Sequence, residues 1–220
     1  MQTLSLIVLL PLLLGTVLMQ DKGKRTYALE GSVFVAGSLI QWLRDSLGMI
    51  ASAAETDALA RSVPDSGGVT IVPALSGLGA PHWNAEARGV VTGLSFATGR
   101  AQLARAALEA MAHQTHDLCL AFAADGAPWG RLRIDGGMSA NDWMAQDLAD
   151  VLALEVERPD MVETTALGAG MLAAVGTGQF ASLSDAAASM RGAVRKFDPA
   201  MDDAVRDERL FRWDKALRAV

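Results

Sequence analysis

Apolar and polar positions alternate with two different periods along this chain, and the switches between them mark the elements. Leu13-Leu14-Gly15-Thr16-Val17-Leu18 and Thr26 to Glu30 read as short strands, the second ending at Gly31-Ser32. Ser38 to Leu47 places Leu39, Ile40, Leu43 and Leu47 at helical spacing and stops at Gly48. A second helix is expected over Ala51 to Arg61. Val69 to Pro73 is β-branched after Gly67-Gly68, and Val90 to Leu94 reads as another strand. Arg100 to Ala124 is a long amphipathic helix, with Leu103, Ala107, Leu108 and Met111 on one face. Leu132 to Asp135 is a strand that breaks at Gly136-Gly137, followed by a helix over Ala140 to Leu152. Val156 lies in a short strand, Thr165 to Gly176 is a small-residue helix, and Asp202 to Val220 is a charged amphipathic helix. Strands alternating with helices predict an α/β domain with a mixed or parallel sheet.

Composition narrows the function classes. The 220 residues are 51% hydrophobic and 20% charged, enough to bury a sizeable core. A net charge of −6 without a Lys/Arg cluster argues against nucleic-acid binding. Cys119 is alone and sits in an apolar run, so it reads as a buried thiol, and three scattered histidines give no metal-ligand pattern. Met1 to Gln20 carries no charge. It is compatible with a secretory signal, a membrane anchor or a buried strand. The absence of a basic residue before it argues against the first, and Pro11 and Gly15 argue against the second.

The strongest local signal for chemistry is Asp135-Gly136-Gly137-Met138-Ser139-Ala140-Asn141. A strand runs into two glycines and then a helix, which lets a ligand approach the main chain and aims a helix amino terminus at an anion. Asn141, read as one turn into that helix, has an amide suited to a base edge. Taken alone, an ordinary strand-to-helix turn is the favoured reading of this segment. Gly37 and Gln41 repeat the pattern of a glycine opening a helix, with capping as the alternative. His82, in the Gly77 to Asn84 loop, has no carboxylate beside it in sequence, which disfavours a general-base role. His113 and His116 lack a third metal ligand. No carboxylate stands out as a catalytic base, so neither catalytic nor metal-binding residues are expected in this chain.

Together these segments resemble the FGGY carbohydrate kinases, most closely the members that phosphorylate glycerol. The resemblance is carried by Thr26 to Phe34, Ala36-Gly37-Ser38, Ile40 to Asp45 and Gly77 to Pro81. It continues through Gly89 to Leu94, Gln102-Leu103, Ala107 to Glu109, Asp135-Gly136-Gly137 and Thr164 to Ala169. His82, Asn84 and His116 depart from it, standing where Tyr, Asp and Arg are usual. The likeness implies an actin-like, ribonuclease-H-like α/β domain, a mixed sheet flanked by helices, that forms the carboxyl-terminal, nucleotide-binding half of the enzyme. It implies that residues 13–220 are this domain and residues 1–12 an unmatched hydrophobic start. It implies ATP or ADP with Mg²⁺ as ligand, and Gly37, Gln41, Gly136, Gly137 and Asn141 as the nucleotide-binding positions. Gly137 would approach a phosphate, Asn141 would contact adenine and Gln41 would line the cleft.

The family's first domain supplies the catalytic aspartate, the phosphate-gripping loop and the glycerol contacts, and none of these is expected here. Glycerol would therefore bind only with that missing half. The alternatives are a non-catalytic truncated module, or the same half of another sugar or polyol kinase. A cytoplasmic location without membrane association is implied. Apolar surface left bare where the first domain packs is expected to promote self-association.

Overall fold

The computed structural model describes residues 12–21 and 23–220. The hydrophobic start at residues 1–11 lies outside them. The first element is a hairpin of β1 (Leu14–Asp21) and β2 (Lys24–Glu30), paired from Leu14 opposite Glu30 to Asp21 opposite Lys24, with an irregularity between Val17 and Met19. The second part of the uncharged amino-terminal stretch is therefore strand, and it runs further than Leu18. No described helix is long and apolar enough to cross a membrane.

The helical body follows. α1 (Gly37–Asp45) ends ahead of Gly48, whose φ of +61° most side chains avoid. α2 (Glu55–Arg61) is shorter than the expected Ala51–Arg61 helix. The Glu55 carboxylate turns back to accept the Ala51 N–H at 2.7 Å, which makes the preceding residues a turn rather than a first helical turn. β3 (Thr70–Val72) pairs antiparallel with β4 (Val90–Thr92). α3 spans Arg100–Ala124, as its periodicity predicts. β5 (Leu132–Arg133) leads through Gly136 into a 3₁₀ turn, Gly137–Ala140, and then α4 (Asp142–Leu152). β6 (Val156–Pro159), α5 (Thr164–Gly176), α6 (Leu183–Met190), β7 (Val194–Phe197) and α7 (Asp203–Leu217) complete the order. β6 runs parallel to β5 and antiparallel to β7, giving a three-stranded mixed sheet.

The core forms where helices meet on α3. Ala104, Ala107, Ala110 and Ala112 are all fully enclosed, and their small side chains let α2 and α4 lie close to α3. Leu39, Ile40 and Leu43 of α1, Leu108 and Met111 of α3, and Leu148 and Val151 of α4 fill the space between them. Each such large side chain contributes about 1.5–3 kcal/mol by leaving water. Val156 and Phe197 seal the sheet onto this core. Two smaller clusters tie down the periphery. Trp213 and Ala216 of α7 pack on Val72 and Leu78, and Leu13 packs on Ala80, Leu118 and Ala121 at the foot of the hairpin.

One ion pair is buried within this body. Arg209 of α7 grips Asp147 of α4 with two parallel bonds of 2.6 and 2.9 Å, the two side chains being 5% and 3% exposed. Burial works against the Arg209 charge, but Asp147 outweighs it and holds the guanidinium more firmly protonated than usual.

Candidate functional site

The turn after β5 is shaped by Gly136, whose φ of +78° lies in the left-handed region. The chain then makes a single 3₁₀ turn, with the Ser139 N–H and Oγ both donating to the Gly136 carbonyl. Asn141 is consequently not one turn inside a helix, as its spacing suggested. It is the N-cap residue of α4, and its Oδ1 accepts the Met144 N–H at 2.9 Å. The polar side chain ahead of an apolar run is a cap signal, and the helix start slips by two residues because the 3₁₀ turn intervenes.

The structure brings Gly37 to this turn. A Cβ on Gly37 would lie 3.0 Å from Met138 Cγ, so the start of α1 approaches the Gly136–Ala140 segment closely where any larger residue would crowd it. Gln41 lies one turn further along α1 and is exposed. Gly137 and Asn141 line a cavity of about 510 Å³ with Met138, Ala140 and Asp142, and α2 with its preceding turn closes the far side through Ala53, Ala54, Asp57 and Arg61. A second cavity, of about 430 Å³, lies on the other side of the same turn between the mixed sheet and α5. Asp135 lines it and accepts a hydrogen bond from the Thr164 hydroxyl.

The wall provided by α2 was not legible in the sequence. Thr56, wholly buried, donates to the Ala53 carbonyl at 2.6 Å and accepts from Asn141 Nδ2 at 3.1 Å. Asp57 accepts the Trp143 N–H at 2.9 Å, and the Arg61 Nε at 2.6 Å. The Arg61 hydrogen bond, with a further contribution from Trp143, holds the Asp57 carboxyl below the usual carboxylate range. Asp142 is lowered too: burial opposes its charge, and hydrogen bonds from Arg158 and Arg195 overcome that opposition. Both carboxylates at the rim are therefore neutralised by arginines, and the interior between them is lined by Ala53, Ala54, Met138 and Ala140. A slot of mixed polar and apolar lining, with the Asn141 amide and the Gly137 backbone on one wall and the Ala53–Ala54 turn on the other, suits a flat heterocycle joined to an anionic tail.

Of the histidines, His82 departs from its sequence reading. His82 does have a carboxylate partner: Asp117, 35 residues away on α3, bonds its Nε2 at 2.9 Å. The same Asp117 oxygen accepts Trp213 Nε1 at 2.9 Å, so the group clasps the 77–84 loop to α3 and α7. No short-range signal could reveal this pairing. His113 is buried and stacked on Trp213 with ring centroids 5.3 Å apart, and neither of its ring nitrogens has a partner among the described residues. Burial, followed by the nearby Arg209 charge, pushes it well below the ordinary histidine range. Among the described residues no three His, Cys, Asp or Glu side chains converge to hold a metal ion.

Comparison with known proteins gives this geometry its context. Residues 10–177 match the FGGY family of carbohydrate kinases, C-terminal domain. The chain is 53% identical over 206 residues to the glycerol kinase of Rhodospirillum centenum, covering 94% of this chain and 41% of that protein. It is 51% identical over 206 residues to the glycerol kinase of Aromatoleum aromaticum, with 93% and 41% covered. Among solved structures it resembles Plasmodium falciparum glycerol kinase with ADP, at a TM-score of 0.83, 33% identity, and coverage of 94% of this chain and 42% of that one. The chain thus spans about two fifths of the length of the relatives it matches. The shared architecture is the actin-like, ribonuclease-H-like α/β fold expected from the sequence. On this evidence the chain belongs to the FGGY family of carbohydrate kinases and corresponds to their carboxyl-terminal domain.

Proposed function

We propose that this chain forms the nucleotide-binding wall of a kinase that transfers the γ-phosphoryl group of ATP to glycerol, giving sn-glycerol 3-phosphate. The observation that carries the reading is the meeting of Gly137 and Asn141 in one slot, with Gly37 packed against Met138 of its wall, in a chain half identical to glycerol kinases. In this reading the adenine lies between the Ala53–Ala54 turn and Met138, with its edge toward the Asn141 amide. The phosphates run toward the Gly136–Gly137 backbone, which can approach them closely for want of side chains. Gln41, exposed on α1, lines the outer cleft.

The base that deprotonates glycerol and the loop that grips the γ-phosphoryl belong, in this proposal, to the part of the relatives that the chain does not span. Mg²⁺ would arrive on the nucleotide phosphates and be completed from that other part. Bound there, it would neutralise phosphoryl charge. This chain's own contribution is to bind and orient the nucleotide and to keep water from the base. Residues 13–220 act as the domain, since Leu13 is already packed in the foot of the hairpin and α7 holds α4 through Arg209. A cytoplasmic location accompanies this role.

The test is an NMR titration of the ¹⁵N-labelled chain with MgADP. Shifts should centre on Gly37, Gly137 and Asn141, and Asn141→Ala should weaken binding. The chain alone should not phosphorylate glycerol, and adding a polypeptide equivalent to the relatives' amino-terminal part should restore turnover. Unchanged affinity in Asn141→Ala, or turnover by the chain alone, would refute this assignment.

A further inference from the structure

The Asn141 side chain is held at both ends, and the two contacts dictate its orientation. The Met144 N–H can only donate, so Oδ1 faces it, at 2.9 Å. Thr56 has one hydroxyl hydrogen and gives it to the Ala53 carbonyl at 2.6 Å. Toward Asn141 the Thr56 oxygen can therefore only accept, and Nδ2 faces it, at 3.1 Å. Thr56 is 0% exposed, so water does not compete for this bond. The amide is fixed in one of its two flips by partners whose own roles are already settled.

A cap needs only the first of these bonds. The second spans 85 residues of sequence, from α2 to α4, and is redundant for capping. What it adds is a defined rotation of the amide. After both bonds, a primary amide retains one N–H and one oxygen lone pair. That pair complements an edge with one acceptor and one donor, as adenine presents with N7 and its 6-amino group. Guanine presents two acceptors, N7 and O6, and meets the lone pair with an oxygen.

We propose that Thr56 is a positioning residue that sets the Asn141 amide to select adenine over guanine nucleotides, acting through Asn141 without touching the ligand. The inference rests on the nucleotide reading of the slot.

The test titrates the full ¹⁵N-labelled chain with MgADP and separately with MgGDP, in the unaltered chain and in Thr56→Val, Thr56→Ser, Asn141→Ala and the Thr56→Val/Asn141→Ala pair. Thr56→Val should weaken MgADP binding by up to roughly tenfold, the worth of one hydrogen bond, and leave MgGDP unchanged, so that the preference ratio falls by the same factor. Thr56→Ser should restore both the affinity and the ratio. In the Asn141→Ala background Thr56→Val should have no further effect, because the two residues act as one unit. The Asn141 side-chain amide signals should also exchange faster with water in Thr56→Val. Equal weakening of both nucleotides, or a Thr56→Val effect undiminished without Asn141, would reduce Thr56 to a structural role and overturn the inference alone. Unchanged MgADP affinity in Asn141→Ala, or no binding by the unaltered chain, would overturn the nucleotide reading and this inference with it.

Discussion

The helical body and the β1–β2 hairpin are built from similarly apolar sequence and end in opposite states. Around α3 the alanines from Ala104 to Ala112 leave the surface and even an arginine and an aspartate are enclosed. On the hairpin, Leu14, Val17, Leu18, Met19, Tyr27 and Leu29 all stand in solvent, Leu18 at 66% and Tyr27 at 67%. The difference lies in layers. α3 has helices on several sides, whereas the hairpin is a two-stranded sheet anchored only at its foot, and such a sheet is marginal without a covering layer. Burial of an apolar side chain is decided by what its neighbours bring, and in the hairpin the described residues bring nothing.

The contrast can be broken most forcefully at the ion pair. Asp147→Ala leaves Arg209 charged and buried without its partner, and should cost about 3–5 kcal/mol in urea unfolding. Replacing both residues with apolar side chains of similar volume should recover most of this, since the loss comes from the stranded charge. A double variant as unstable as the single one would show that the pair stabilises the body in its own right.

His113 sharpens the comparison by pH. Its folded pKa is depressed, so the unfolded chain takes up a proton below about pH 6.5 that the folded chain resists. Stability from this group is complete above that pH and declines as pH falls below it, by at most ~1.4 kcal/mol per pH unit. Arg209, His116 and Arg212 face it and reinforce the resistance. Glu109, raised chiefly by burial, works with the opposite sign, because its neutral form is favoured in the fold and its contribution weakens as pH rises above the ordinary carboxylate range. Comparing urea unfolding from pH 7 to 5 in the parent and in His113→Phe isolates the histidine: the variant, still able to stack on Trp213, should have a shallower acid slope, keeping the share of His116, which burial also lowers. Parallel curves would refute the assignment.

At the slot, Asn141→Ala removes the α4 cap and should cost ~1 kcal/mol of stability, measured by thermal or chemical unfolding, apart from any effect on ligand binding. The smallest change is expected on the hairpin. Leu18→Ser with Tyr27→Ser should alter stability by no more than about 0.5 kcal/mol. It should nevertheless reduce self-association in analytical ultracentrifugation, because it removes exposed apolar area. A large loss of stability there would mean that the hairpin is covered in solution.

Legibility followed the range of the interactions. The limits of α3, Arg100 and Ala124, were readable because its pattern is long and Gly99 precedes it. α6 and β7 carry no such signal: Leu-Ser-Asp-Ala-Ala-Ala-Ser-Met is too short and small-sided to show a period, and Val-Arg-Lys-Phe has two charges at its centre. Gly37, Gly136, Gly137 and Asn141 could be singled out because glycines and a capping amide announce themselves locally. Thr56, Asp57 and the His82–Asp117 clasp could not, since each acts on a residue far along the chain and nothing in their immediate neighbours marks them.

The grip of Arg209 on Asp147 also imposes an order on synthesis. α4, with Asn141 at its head, leaves the ribosome well before α7 does. Until the later helix emerges, Asp147 lacks its guanidinium partner and α4 lacks its tie to α7. β7, which completes the mixed sheet, likewise follows α4 in the chain. Ribosome stalling or a premature stop between Phe197 and Arg209 would release a chain with its nucleotide-facing turn already made and its anchoring cation missing. Such a product should be favoured by proteases over the finished domain.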